Sequence, residues 1–240
     1  MCGNAALIIQ RESKREKTVR HMALSYVLSL VVLCGAVASA EAATFECTGT
    51  VVGGVIDAHI VVPAGAFCLL LGVTVNGHVS VEPGAIGFHA HTSNIRDFVM
   101  AQNPVLDIRV LDTTVGGFVK VSGTILGTFG QICRSTIGGN VELADNDGAM
   151  IVGSGGLDVC FTGLAGANTI EGNVKLFRNT GSFSVNNNTI RNNVLVFHNT
   201  GVTEVLVNNI GRNLHCEGNT PAPVSAGNMV GGNTLGQCAP

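Results

Sequence analysis

Between Asn168 and Asn233 the chain repeats itself. Asn168, Asn188, Asn208 and Asn228 lie 20 residues apart, and the same interval separates Asn173, Asn193, Asn213 and Asn233, and Asn179, Asn199 and Asn219. A fixed period near 20 residues points to a solenoid, in which each repeat buries its apolar face only against its neighbours. The period extends upstream. Positions just before a β-branched aliphatic residue recur at Val55, Thr74, Asn94, Thr114, Thr136, Thr169, Thr189, Asn209 and Met229, with spacings of 19, 20, 20, 22, 33, 20, 20 and 20.

The residues around these anchors form columns. One place on stand Ile56, Val75, Ile95, Val115, Ile137, Ile170, Ile190, Ile210 and Val230; five places on stand Ile60, Val79, Val99, Val119, Val141, Val174, Val194 and Leu214. Seven places on come Val62, Val81, Ala101, Val121, Leu143, Leu176, Val196 and Cys216. Alternation of this kind is strand-like, with one face buried. A third apolar segment follows in most repeats, as at Leu69–Leu71, Asp107–Val110, Met150–Val152, Phe183–Val185 and Val205–Val207, with turns such as Pro83-Gly84, Asp147-Gly148 and Thr180-Gly181 between segments. Three short strands per repeat, each stacked on its equivalent in the next, predict an all-β parallel β-helix, a single-stranded β-solenoid of about nine coils of about 20 residues. The 33-residue spacing after Thr136 predicts a loop of 13 extra residues, around 157–167.

The unit Thr-Ile-x-Gly-Asn-Val at Thr136–Val141 and Thr169–Val174, the run Asn213–Pro223 and the ending Gly236-Gln237-Cys238 carry a resemblance. The columns resemble the right-handed parallel β-helix, or pectin-lyase-like, superfamily. More closely, the chain is similar to small exported bacterial β-helix repeat proteins of unknown function. The resemblance implies a right-handed coil and a bacterial origin, and it invites the idea of a polysaccharide lyase or hydrolase.

The N-terminus reads as a targeting segment. Arg11, Lys14, Arg15, Lys17 and Arg20 form a basic stretch, an apolar run follows from Tyr26 to Ala38, and Ala38-Ser39-Ala40 and Ala40-Glu41-Ala42 offer small-residue cleavage sites. Residues 1–42 are therefore expected to be a cleaved signal peptide and 43–240 the β-helix domain, secreted or held at a bacterial cell surface with no membrane span. Removing 1–42 takes 5 of 13 Lys+Arg and 3 of 16 Asp+Glu, leaving 8 against 13, a net charge of −5. That balance argues against a nucleic-acid partner.

Six of the eight cysteines remain: Cys47, Cys68, Cys133, Cys160, Cys216 and Cys238. An even number in an exported chain predicts disulfides, and the repeat narrows the 15 connectivities that six cysteines allow. Cys47 and Cys68 are 21 apart and Cys216 and Cys238 are 22 apart, so each pair spans adjacent coils at one end; Cys133 and Cys160, 27 apart, clip the extra loop.

The candidate sites are modest. Asn173, Asn193, Asn213 and Asn233 sit at a strand-to-turn junction, where asparagine tolerates left-handed backbone and bonds its equivalents, so they are read as a structural ladder. His59 and His78 take the same place in earlier coils and His89-Ala90-His91 puts two imidazoles on one strand face; a metal there would need a third ligand, with Asp57 nearest, and stacked or surface histidine is the default reading. Asp145-Asn146-Asp147-Gly148 resembles the start of a calcium loop but lacks the later bidentate Glu, so no cofactor is expected, with weak calcium binding near Asp158 left open. The carboxylates scatter: Asp57 and Glu171 share a column far apart along the tube, Asp107, Glu142 and Glu204 fall elsewhere, and Lys120, Glu142 and Lys175 alternate on one outward column. Phe177 and Phe197 form a column read as packing. No catalytic residue is assigned. The function expected is a non-catalytic structural or binding scaffold suited to adhesion, with an extracellular polysaccharide or envelope surface as partner; the alternative is a carbohydrate-active enzyme acting on acidic polysaccharide.

Overall fold

The computed structural model describes residues 43–153 and 166–239. The expected leader, Cys160, Asp158 and most of the expected extra loop lie outside that range. Among the described residues there are 28 short strands and no helix. Every third strand joins the same sheet, giving three parallel sheets of 10, 9 and 9 strands. Sheet 1 runs from Thr44–Glu46 to Thr234–Gly236, sheet 2 from Thr50–Val52 to Val224–Ala226, and sheet 3, made of two-residue strands, from Val55–Ile56 to Met229–Val230. The chain is thus a parallel β-helix of about nine turns. The sequence anchors pair with one another in register, for example Thr169 with Thr189 and Thr189 with Asn209. The extra residues of the 33-residue repeat fall between strand Ala149–Gly153 of sheet 2 and Thr169–Ile170 of sheet 3.

The columns face inward. Val75, Ile95, Val115, Ile137, Ile170, Ile190 and Ile210 of sheet 3 are buried, as are Val79, Val99, Val119, Val141, Val174 and Val194 of sheet 1. Each such side chain contributes about 1.5–3 kcal/mol relative to exposure, and no coil could gather that burial alone. Sheet 2 adds larger residues and adjusts their sizes along the column. Gly130 lies between Ile108 and Met150 in register, and a Cβ on it would meet the Met150 side chain, which occupies that space. The absent side chain in one coil makes room for the long one in the next.

Each corner between sheets has its own chemistry. Where sheet 2 turns into sheet 3, a left-handed residue precedes an inward polar one: Thr92 before Ser93, Asp112 before Thr113, Arg134 before Ser135, Asn187 before Asn188, Val207 before Asn208. The same arrangement occurs from sheet 1 to sheet 2, at Asp145 before Asn146, Arg178 before Asn179 and His198 before Asn199. The positive φ turns the chain through the corner and points the next side chain into the tube, where its backbone neighbours need partners.

The buried polar side chains supply them. At the first corner Val73, Ser93, Thr113, Ser135, Asn168, Asn188 and Asn208 each donate a backbone N–H to the side-chain oxygen of the next coil's equivalent, ending on Asn228. At the second corner Thr124, Asn146, Asn179, Asn199 and Asn219 do the same, ending on Gln237. Each buried Asn of these two ladders also donates Nδ2 to a backbone carbonyl of an earlier coil, as Asn168 does to Ile132 and Asn179 to Leu143. A hydroxyl serves in the early coils and an amide in the later ones.

Candidate functional site

The singled-out asparagines occupy the third corner, from sheet 3 to sheet 1. Asn173, Asn193, Asn213 and Asn233 stack with Asn140, and here the polarity is reversed: the N–H of the later coil donates to Oδ1 of the earlier one, at 2.8–3.1 Å. The left-handed backbone expected of them is not present; among the described non-glycine residues, every positive φ except that of Asn103 falls on a residue that precedes one of the other two ladders. At this third corner a stacked side chain needs only to hydrogen-bond along the column, and ordinary backbone allows that.

In earlier coils the same column is aromatic. His59 and His78 stack at 3.9 Å between ring centroids, His78 and Phe98 at 4.5 Å, and Phe98 and Phe118 at 4.6 Å. The His78 N–H donates to Nδ1 of His59 at 3.3 Å, so His59 plays the part that Asn140 plays for Asn173. Burial, reinforced by His59 and opposed by Asp97, holds the His78 pKa below the ordinary histidine value. The acid that approaches the two rings is Asp97, not Asp57. Asp57 accepts a hydrogen bond from Asn76, whereas Asp97, flanked by Gly77 and Gly117 on the neighbouring coils, groups with the two histidines.

The ends of the tube are stapled. Cys47 is bonded to Cys68, with Cα atoms 5.4 Å apart, and Cys216 to Cys238, at 5.3 Å. Cys133 is disulfide-bonded; its expected partner Cys160 is outside the described residues. The calcium-like turn is engaged otherwise: Asp145 pairs with Arg178 at 2.7 Å, Asn146 belongs to a buried ladder, and Asp147 accepts from Thr180.

The outer faces of the sheets carry the remaining chemistry. On sheet 1 Lys120, Glu142 and Lys175 follow one another in register, Lys120 at 2.7 Å and Lys175 at 3.8 Å from the Glu142 carboxylate. One step along the strand Phe177 pairs with Phe197 on the next coil. Both rings are half-buried on the outside of the tube, not in its core. The Arg178 guanidinium lies 4.4 Å from the centre of the Phe177 ring and pairs with Asp145, whose pKa that hydrogen bond holds low. Together with Leu195 these residues line a hollow of about 260 Å³. Sequence columns located its parts, but Arg178 joins it only because a left-handed corner turns its side chain back over the sheet.

Sheet 2 offers a second cluster. His89 Nε2 and Arg109 lie 3.1 and 2.6 Å from the same Asp107 oxygen, and all three side chains are largely buried. His91, next along the strand, has its pKa lowered by burial and by His89 and Arg109, against Asp112. Beside them Leu111 and Cys133 form a small apolar cluster outside the tube. A third feature is an open groove of about 800 Å³ at the sheet 1 to sheet 2 corner, floored by Gly181 and Gly201, with Thr180 and Thr200 along it and Asp147 at its edge.

The carboxylates do not converge. Asp112 pairs with Arg134, Asp145 with Arg178, Glu171 with Arg191, and Glu142 with two lysines. Among the described residues, the group of three His, Cys, Asp or Glu side chains close enough to share an ion is His59, His78 and Asp97, with a single carboxylate. No helix among the described residues is long and apolar enough to cross a membrane. No family model, curated protein or solved structure matches the chain.

Proposed function

We propose that the chain is an exported, non-catalytic binding scaffold of the pectin-lyase-like type, and that its sheet 1 wall takes an acidic extracellular polysaccharide. The observation that carries this reading is the hollow on sheet 1, where Lys120, Lys175 and Arg178 surround two outward phenyl rings. Three cations against the two carboxylates Glu142 and Asp145 leave one net positive charge, on a chain whose balance beyond residue 42 is 8 against 13. Flat apolar rings beside cationic hydrogen-bond donors suit a sugar ring bearing a carboxylate. Disulfides between adjacent coils fit an oxidising compartment, where such a polymer would be met. The rigid, regular wall gives a long ligand successive contacts one coil apart.

Titration calorimetry with polygalacturonate, alginate and neutral dextran tests the reading. Binding to the acidic polymers, weakening as salt rises, is expected, with Lys175→Ala and Phe177→Ala each lowering affinity about tenfold. Equal binding of dextran, or no binding of either acid polymer, defeats it. The arrangement of His89, Asp107 and Arg109 favours the second reading, a carbohydrate-active enzyme, because an imidazole and a carboxylate in contact are the means of proton transfer. New reducing ends or unsaturated products in the same incubations, lost in His89→Ala, would replace the first reading with the second.

A further inference from the structure

We propose that His59, His78 and Asp97 bind a divalent transition-metal ion of the zinc type. Their ligand atoms all lie within 4.8 Å of one another, and all three side chains are half-buried at the sheet 3 to sheet 1 corner. Two imidazoles and one carboxylate form the donor set that zinc favours, with the fourth position left to water. Tetrahedral zinc at about 2.0–2.1 Å from each ligand sets those atoms roughly 3.3 Å apart. Closing the cluster therefore takes side-chain rotation on the order of 1.5 Å, within reach of groups that line the outside of a turn.

Three features single this corner out from the rest of its column. The two histidines stand on adjacent coils, where later coils hold Phe98, Phe118 and then Asn140, Asn173, Asn193 and Asn213. The carboxylate stands where the flanking coils hold Gly77 and Gly117, and the backbone N–H of Asp97 donates to the Gly77 carbonyl at 3.2 Å, which fixes the register. Because Gly77 has no side chain, Asp97 faces the rings of the two preceding coils directly. The site lies in the coils next to the Cys47–Cys68 staple, which holds His59's coil to its neighbours. The inference is independent of the polysaccharide reading, since the two sites share no residue.

The column itself supplies the control. Asparagine is what this corner holds in later coils, so His59→Asn and His78→Asn replace a ligand with a residue suited to the turn. The experiment is calorimetric and thermal titration of the tag-free chain with zinc chloride, for the unmodified protein, for the double variant and for Asp97→Asn. One zinc per chain and a raised melting temperature are expected in the unmodified protein. The double variant should keep its far-ultraviolet circular dichroism spectrum and lose the zinc-induced shift, and Asp97→Asn should weaken binding about tenfold or more. His215→Asn, seven strands away along the same sheet, should change nothing. Absence of a zinc-dependent shift in the unmodified protein overturns the proposal, and so does equal zinc affinity in the double variant or in Asp97→Asn.

Discussion

Asn188 accepts two hydrogen bonds from Asn168 through a single oxygen: its Oδ1 lies 3.2 Å from the Asn168 backbone nitrogen and 2.9 Å from Nδ2. Its own Nδ2 passes on to Asn208 Oδ1 at 3.0 Å and to the Val152 carbonyl at 2.9 Å. One buried side chain thus serves two backbone groups of the preceding coil and joins the side chain of the following one. Asn188→Ala strands the Asn168 N–H and the Val152 carbonyl together, which should lower the unfolding free energy by about 3 kcal/mol in urea titration. Asn213→Ala, in the half-buried ladder, should cost under about 1 kcal/mol because water can replace the amide. Equal losses at the two positions would contradict the distinction between the ladders.

Gly181 and Gly201 lie one above the other at a corner where the coils approach closely. A Cβ on Gly201 would run into the carbonyl oxygen of Gly181, which is backbone and cannot rotate away. Gly201→Ala should destabilise the protein by about 2–3 kcal/mol, measured by the same titration. Gly127→Ala at the nearby exposed turn meets no neighbouring atom; its penalty comes only from its positive φ and should be about 1 kcal/mol.

Val207 carries a β-branched side chain at φ 58°, a conformation that costs such residues about 1–2 kcal/mol. The side chain is 62% exposed and buries little in return. The equivalent residue one coil earlier is Asn187, at φ 60°. Val207→Asn should therefore raise the melting temperature, with a gain of about 1 kcal/mol. A lower melting temperature would show that Val207 contributes packing that its exposure conceals.

The Cys216–Cys238 bond closes a loop with a sequence separation of 22. In the chain-entropy view such a bridge contributes about 3 kcal/mol by restricting the unfolded chain. The double replacement Cys216→Ser, Cys238→Ser should lose about that much, and amide exchange should accelerate first in Leu214–Glu217 and Thr234–Gly236. Uniform acceleration along the whole tube would mean that the bridge supports more than the end.

Asp112 holds a bidentate pair with Arg134, both contacts at 2.6 Å, and that hydrogen bond lowers its folded pKa below 3.8, against a smaller opposing effect of burial. A carboxyl whose folded pKa is depressed binds more protons when unfolded. Its contribution is thus complete above the unfolded value and is lost as pH falls through the folded one. Acid titration of Asp112→Asn should show a shallower fall in stability below about pH 4 than the unmodified chain. Identical acid limbs would mean that solvent screens the pair completely.

Much of the tube was written in the spacing. The column Val75 to Ile210 could be placed because a β-branched residue recurs where only the interior accepts it, and the register then followed. Cys216 and Cys238 could be paired because one period separates spatial neighbours. The corners were less legible. Arg134, Arg178 and Val207 occupy the left-handed position, yet their side chains point outward and their identities are free, so no pattern marks them. Asp57 is closer to His59 in sequence than Asp97 is, but Asp57 bonds Asn76. Only the stacking of Asp97 over Gly77 shows which acid faces the rings. The ladder chosen from the sequence was the half-buried one; the deeper ladders begin as Ser93, Thr113 and Thr124, and a change of residue type hides a continuous bond path from any search for identical letters.

Gln237 stands where one of those bond paths runs out. It lies 18 residues after Asn219, short of a full period, and its extra methylene lets Oε1 reach both the Asn219 N–H, at 2.8 Å, and Nδ2, at 3.0 Å, while Nε2 returns a bond to the Asn219 carbonyl at 2.8 Å. A parallel stack whose last strand leaves its amides free is a template for another molecule to add to, and repetition makes every copy a suitable addition. By taking both backbone groups of Asn219, Gln237 fills the place that Asn219 itself fills for Asn199 one coil earlier. The residue thereby leaves Asn219 no open backbone group to offer a neighbouring molecule.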